Sequence, residues 1–207
     1  MIGGVIMNDK YEVIKKIAKE NNGFVRTSQI EEAGIYRSAI KEFVDQDLLV
    51  CERKGIYSIK EEFDDEYVLL QMQSSKFVYS YGTALFLHGL SDRTPHIIDI
   101  TVPQGTKTTR YTRDNENLRF HYVKKEIYEL GICEITTPQG GTVKVYDKER
   151  CICDIVKKKE KMDKQLYIKA IQDYFHTKPN NRKLLKYAKE LKIDKDIKTY
   201  IDILTPQ

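Results

Sequence analysis

The chain has 207 residues, 41% of them apolar and 32% charged, with 35 Lys/Arg against 31 Asp/Glu and a mean hydropathy of −0.53. That is enough apolar material for one or two real cores, and no run approaches the roughly 18 apolar residues of a membrane span. The first seven residues lack the basic region and long apolar stretch of a secretory signal, so the expected location is the cytoplasm. The net charge of +4 is too small to advertise a nucleic-acid partner by itself.

The cysteines, Cys51, Cys133, Cys151 and Cys153, have no zinc spacing, and a chain of this length needs no disulfide staples. They are expected to be ordinary thiols, mostly buried. Charge is unevenly spread. Residues 1–63 hold 10 Lys/Arg and 11 Asp/Glu, whereas residues 147–207 hold 16 and 10. DNA contact by the N-terminal part therefore has to come from the placement of individual charges.

A first helix is predicted from Asn8, a candidate N-cap, to Asn21, with Tyr11, Ile14, Ile17 and Ala18 at helical spacing. A second, short helix opens at Thr27-Ser28, where Ser28 and Glu31 fit a capping box, and ends at Ala33-Gly34. A third covers about Tyr36 to Asp47. Ile40, Phe43 and Val44 face inward with Leu48, while Arg37, Ser38 and Lys41 spread over roughly 100° on another side. Leu48–Glu52 and Ile56–Ile59, separated by Arg53-Lys54-Gly55, read as a hairpin. This order is that of a winged helix-turn-helix.

In such a module the third helix enters the major groove by its N-terminal end. Tyr36, Arg37, Ser38 and Lys41 are the candidate readers: Arg37 for guanine edges, Ser38 for base or phosphate, Lys41 for phosphate. Thr27, Ser28 and Gln29 are candidate phosphate grips, and Arg53 and Lys54 at the wing tip are candidate phosphate or minor-groove contacts. Glu42 and Asp45 argue against the reading if they face the duplex. The alternative use of the same module is a protein-contact surface.

The acidic cluster from Glu61 to Glu66 is the expected linker, giving domains 1–62 and 63–207. Beyond it, Ser80 is a candidate N-cap for a helix ending near Gly89. His88, alone at that helix end, is expected to be structural rather than catalytic. Ile97–Val102 and Leu118–Val123 read as strands, and Ile132–Thr137 with Thr142–Val145 flank a Pro-Gln-Gly-Gly turn. A small mixed sheet over about 78–146 follows. Lys107, Arg110 and Arg113, interleaved with hydroxyls and Tyr111, form a candidate second basic surface. Helices are predicted over 147–159, 163–176, 181–191 and 194–204, with Leu184, Leu185, Ala188 and Leu191 as one apolar stripe. Lys157, Lys158, Lys159, Lys161 and Lys164 are expected to face solvent or DNA. The overall class is α+β, an N-terminal winged helix-turn-helix followed by a mixed α/β domain with a helical C-terminal tail.

Several segments carry a resemblance: 24–30 (FVRTSQI), Ala33-Gly34-Ile35, Leu48-Leu49-Val50 before Arg53–Tyr57, then 80–92 (SYGTALFLHGLSD) and 145–154 (VYDKERCICD). In order and spacing they resemble the AbiEi antitoxins of bacterial abortive-infection systems over roughly residues 7–156. The resemblance implies a type IV toxin–antitoxin role: repression of its own operon at double-stranded operator DNA with inverted repeats, and opposition to a nucleotidyltransferase-like toxin without a stable complex. Glu149, Arg150 and Asp154 match the family's second segment. Arg150 and Asp154, four apart, are expected to pair on a helix surface, with antitoxicity as the alternative role.

No catalytic residue, metal or cofactor is expected. Asp99 and Glu134 are possible members of a nuclease's metal-binding carboxylate set, but no Glu-x-Lys follows on the expected strand. The sequence also lacks a Gly-rich phosphate loop and a nucleophile motif.

Overall fold

The computed structural model describes residues 2–59, 65–113 and 115–205 and has mixed α+β architecture. The chain forms two compact units. The first is Met1–Ser74 with Thr136–Val143, and the second is Ser75–Ile135 with Lys144–Gln207. The expected boundary at 62/63, and Glu61 to Asp64 of the expected linker, lie outside the described residues. The hairpin tip 136–143, expected to belong wholly to the C-terminal domain, clusters with the first unit.

The first unit begins with α1 (Ile2–Glu20), β1 (Phe24–Arg26), α2 (Thr27–Glu32), α3 (Arg37–Asp45), β2 (Leu49–Arg53) and β3 (Ile56–Ile59). The three strands make an antiparallel sheet in the order β1-β3-β2. The core follows the apolar spacing: Ile14, Ala18, Val25, Ile30, Ile35, Ile40, Phe43 and Leu49 are all buried together. Tyr11 joins this core through a ring contact with Phe43 and an O–H donated to the Leu48 carbonyl at 3.2 Å.

Two start signals differ from expectation. α1 begins at Ile2, so Asn8 is an exposed interior residue and not a cap. The N-cap of α2 is Arg26, whose backbone N–H donates to Gln29 Oε1 at 2.9 Å. The helix starts two residues earlier than the Ser28/Glu31 pattern implies, which puts Gln29 at the reciprocal position. Gly34, at φ +79°, ends α2 as expected, since a left-handed residue there lets the Ile35 N–H return to the Ile30 carbonyl at 3.1 Å. Also in this unit are α4 (Glu66–Gln71), capped by Asp65, and the 136–143 tip, where Thr137 Oγ1 donates to Asp65 Oδ2 at 2.5 Å.

The second unit is built on a five-stranded sheet of β4 (Val78–Tyr79), β5 (Ile98–Pro103), β6 (Leu118–Val123), β7 (Ile132–Thr136) and β8 (Thr142–Tyr146), in the order β6-β5-β4-β8-β7. β5 pairs in parallel with β6 in a register that sets Asp99 opposite Arg119 and Thr101 opposite His121. The helices are α5 (Tyr81–Leu87), α6 (Thr109–Thr112), α7 (Lys125–Tyr128), α8 (Lys148–Lys157), α9 (Lys164–His176), α10 (Asn181–Glu190) and α11 (Asp194–Leu204). α8 is the hub: α5, α9, α10 and α11 all pack on it, and Cys151, Ile152, Cys153, Ile155 and Val156 are buried there.

Ser80 precedes α5 as expected, but its hydroxyl makes no cap bond and instead accepts from Thr101 Oγ1 at 2.8 Å. The 107–113 segment that carries the candidate basic surface contains the short helix α6, with Thr108 and Tyr111 turned inward. Arg150 and Asp154 do pair, at 3.0 Å, but they are 1% and 5% exposed, so the expected surface pair is a core pair. Arg150 also donates from Nη1 to the carbonyls of Ile127 and Leu130 at 2.6 and 2.8 Å. Two of the four thiols, Cys151 and Cys153, are buried, Cys133 is half-buried and Cys51 is exposed. Among the described residues no helix is long and apolar enough to cross a membrane, and no cluster of three His, Cys, Asp or Glu could hold a metal ion.

Candidate nucleic-acid interface

α3 and the β2–β3 hairpin border one groove, lined by Thr27, Arg37, Ile40, Lys41, Val44, Cys51, Lys54, Gly55 and Tyr57. Helical geometry explains the helix side: at about 100° per residue, Arg37, Lys41 and Val44 fall within roughly 60° of one another. The far wall is held in place by the backbone. The Thr27 N–H donates to the Gly55 carbonyl at 3.0 Å, tying the hairpin turn to the start of α2. Gly55 reaches this position at φ +79°, a conformation other residues rarely adopt.

Four of the expected contact residues, Thr27, Arg37, Lys41 and Lys54, meet on this groove. Arg37, Lys41 and Lys54 are exposed, as are Tyr36 and Ser38 at the start of α3 and Ser28 on α2. Tyr36, at 79% exposed, is the most exposed large hydrophobic side chain among the described residues. Arg53 is half-buried at the end of β2, beside a register shift between Cys51 and Arg53, and is not presented at the tip with Lys54. Gln29 is committed internally: besides capping α2, its Nε2 donates to Asn21 Oδ1 at 3.2 Å.

Arg37 is held by Glu31, with Nε to Oε1 at 2.6 Å, and this hydrogen bond with its charge attraction raises the guanidinium pKa. The pair is open to water and can exchange for another anion. Glu42 lies about 140° around α3 from Arg37, away from the groove, while Asp45 lies about 80° away. A basic residue that sequence reasoning did not single out, Arg26, donates from Nε and Nη2 to the Met72 carbonyl at 3.2 and 2.8 Å and so is engaged inside the unit.

In the second unit Lys107, Arg110 and Arg113 are exposed, and Arg110 lies over the Tyr111 ring at 4.5 Å. Glu149 stands apart from the Arg150–Asp154 pair. It binds Lys183 at 3.0 Å and accepts from the Tyr174 hydroxyl at 3.3 Å. Lys183 also binds Asp147 at 3.0 Å, and the Tyr187 hydroxyl donates to the same Asp147, its pKa pushed up to about 12 by burial and the neighbouring carboxylate. His88 bonds through Nε2 to the Tyr146 carbonyl at 2.7 Å, and burial lowers its pKa. A carbonyl partner means that this nitrogen carries the proton, a structural use of the ring.

A family model described as "Transcriptional regulator, AbiEi antitoxin" matches residues 12–60. The matched stretch covers α1 from Glu12 onward through the end of β3. Among solved structures the chain is similar to the RV2827C protein of Mycobacterium tuberculosis, with a TM-score of 0.56 and 17% identity, covering 86% of this chain and 70% of that one. At that identity the likeness concerns the fold. No curated protein sequence matches the chain significantly.

Proposed function

We propose that the chain is a cytoplasmic transcriptional autorepressor and the antitoxin of a type IV abortive-infection system, acting through a winged helix-turn-helix in its first unit. α1, α2, α3 and the β2–β3 hairpin take the roles of the three helices and the wing. The observation that carries the reading is that the antitoxin-regulator match at 12–60 coincides with the segment whose Thr27, Arg37, Lys41 and Lys54 converge on one groove.

The groove chemistry suits duplex DNA. Arg37, near the N-terminus of α3, reads guanine edges once it leaves Glu31, and Ser38 and Tyr36 flank it. Lys41, Thr27 and Ser28 grip phosphate, and Lys54 braces the wing against the backbone or an adjacent minor groove. Arg53 and Gln29 serve as supports for the hairpin and the helix start rather than as contacts. The operator is expected to contain inverted repeats, as the family resemblance implies. Lys107, Arg110 and Arg113 are a candidate second phosphate surface. The partner that the antitoxin opposes is a nucleotidyltransferase-like toxin, with no stable complex between them. Glu149, Arg150 and Asp154 act in folding, since each is engaged within the second unit.

Lys54→Ala tests the phosphate role. Its binding to the promoter is expected to weaken equally for operator and scrambled duplexes, and the slope of log K against log salt should shrink by about one, the share of a single phosphate contact. An unchanged slope in fluorescence anisotropy would remove the wing from the interface. The antitoxin half is tested by co-expression with the neighbouring toxin gene. Restored growth is expected, and growth arrest despite soluble protein would leave a regulator without antitoxin activity.

A further inference from the structure

The β5–β6 pairing of the second unit gathers a chain of polar groups that the regulator reading does not use. The Asp99 carboxylate is 1% exposed. Arg119 donates to both its oxygens, at 2.6 and 2.8 Å. Burial works to raise the Asp99 pKa, but the hydrogen bonds from His121 and Arg119 outweigh it and hold the carboxyl below its ordinary value. An ionised carboxylate only accepts, so His121 Nε2, at 2.7 Å from Oδ1, carries the proton. That leaves Nδ1 of the neutral ring as an acceptor, and Lys158 Nζ donates to it at 3.1 Å.

An amine, a base within hydrogen-bond reach of it and a carboxylate that orients the base are the parts of an activated nucleophile. Asp99 fixes the tautomer of His121, and His121 is placed to take a proton from Lys158. Tyr81 confines the amine from another side: Nζ lies 4.5 Å over its ring, and that ring is 4.1 Å from the His121 ring. Tyr81 holds this place at φ +45°, a left-handed conformation costly for an aromatic residue, as is found where neighbouring structure over-determines a site. Burial works to lower the Lys158 pKa, the charges of Arg119 and Lys161 add to it, and together they outweigh the pull of Asp154 and Asp99. The neutral amine, which is the form that attacks, is therefore reached more readily than on a fully solvated lysine.

Lys158 and His121 border a cleft of about 510 Å³, also lined by Asp154, Lys157, Glu160 and Lys161. Asp154 is answered by Arg150, and Lys157 donates to the Leu191 carbonyl at 3.1 Å, so both are engaged within the unit. Lys161 and Glu160 are exposed, and the Lys161 charge is felt at Lys158. A reagent that carries an anionic leaving group can therefore set the anion by Lys161 while its electrophilic carbon meets Lys158. The exposed lip of the cleft admits such a reagent, and the half-buried Lys158 lies within it.

We propose that Lys158 is an acylation site, at which an acyl phosphate transfers its acyl group to Nζ with His121 as the base and Asp99 as a positioning residue. The neutral Nζ attacks the carbonyl carbon of the acyl phosphate. The N–C bond forms, the C–O bond to phosphorus-bound oxygen breaks, and inorganic phosphate leaves with that electron pair beside Lys161. One Nζ proton passes to His121 Nδ1, where Asp99 stabilises the imidazolium, and then to water or the departing phosphate. The product is an uncharged amide in place of the ammonium at Tyr81. The site is separate from the groove of the first unit.

The test incubates the full chain with millimolar acetyl phosphate and follows acetylation at each lysine by mass spectrometry, the unreacted amines being capped afterwards with a heavier acyl group. Lys158 is expected to react about tenfold or more faster than Lys164, which is exposed and outside the cleft. His121→Gln should remove most of that advantage while the rate at Lys164 stays the same. Lys161→Gln should slow Lys158 severalfold, since the leaving phosphate loses its cation. In the unmodified chain, the half-point of the Lys158 rate against pH should lie below the ordinary lysine range, and this profile carries the test if His121→Gln fails to fold. Acetylation of Lys158 no faster than that of Lys164 overturns the proposal. So does a folded His121→Gln chain that keeps the full advantage, or a half-point within the ordinary lysine range. Operator binding is expected to be the same in both variants, so failure here is distinguishable from failure of the regulator reading.

Discussion

Arg150→Ala is expected to lower the melting temperature by roughly 6–20 °C. Removing one partner of a buried ion pair costs about 3–5 kcal/mol, because the other charge stays behind without compensation. For a chain of this size each kcal/mol is worth about 2–4 °C. Here the stranded group is the Asp154 carboxylate, and the carbonyls of Ile127 and Leu130 lose their donor as well. Burial works against the Arg150 charge, but the attraction of Asp154 and neighbouring groups outweighs it and raises the guanidinium pKa, so the residue is charged throughout the useful pH range. The conservative change Arg150→Lys should not preserve the fold's stability. A single ammonium cannot reproduce a planar fork that serves a carboxylate and two carbonyls while lying 4.3 Å over the Tyr146 ring. The double change Arg150→Met with Asp154→Leu should recover much of the loss, since an apolar pair of similar volume removes both charges together. Differential scanning calorimetry reads all three variants. A melting point within about 2 °C of the parent for Arg150→Ala, less than 1 kcal/mol at this size, would show that water reaches the pair.

The sequence announces this pair only as a surface contact, and the reason is physical. The i,i+4 spacing indicates the pairing, but depth depends on what covers the helix. α8 is covered on several sides by α5, α9, α10 and α11, an arrangement that no local pattern carries. The elements with strong periodicity are readable: α3, the β2–β3 hairpin, β5, β6 and the last three helices all lie within a few residues of expectation. β1 is not, because three residues are too few to show alternation. Ser80 fits a cap by type, yet its partner is Thr101, 21 residues on and known only once β4 and β5 pair. The same holds for the contacts that join Asp99, His121 and Lys158. Lys158 reads as one of a run of solvated lysines, and His121 as one residue of a half-buried strand. Only the parallel register of β5 and β6 brings Asp99 beside His121, and only the packing of α8 brings Lys158 to the pair. In the first unit the candidate groove needs less, since α3 and the hairpin are consecutive in sequence. Even there, Gln29 and Arg53 match the expected contacts by residue type while their surroundings engage or half-bury them.

Arg37→Ala is expected to reduce the preference for operator over scrambled DNA by roughly ten- to a hundred-fold, the worth of one bidentate arginine–guanine contact. The loss should fall on operator binding, with non-specific affinity reduced only by the share of one charge. Glu31 makes the argument sharper. In the free protein its carboxylate occupies the guanidinium that the duplex would use, at 2.6 Å. A ligand that takes Arg37 must displace it, and the freed Glu31 then lies near the phosphates it repels. Glu31→Gln removes both obstacles and should tighten operator binding severalfold. The gain should be greatest at low salt, where screening of the carboxylate is least. In the double variant Glu31→Gln with Arg37→Ala, specificity should match that of Arg37→Ala alone, because the carboxylate affects base reading only through the arginine. Competition binding with operator and scrambled duplexes measures each of these ratios at one salt concentration. Equal loss of operator and non-specific affinity in Arg37→Ala would reduce Arg37 to a phosphate contact and leave base reading to Ser38 and Tyr36.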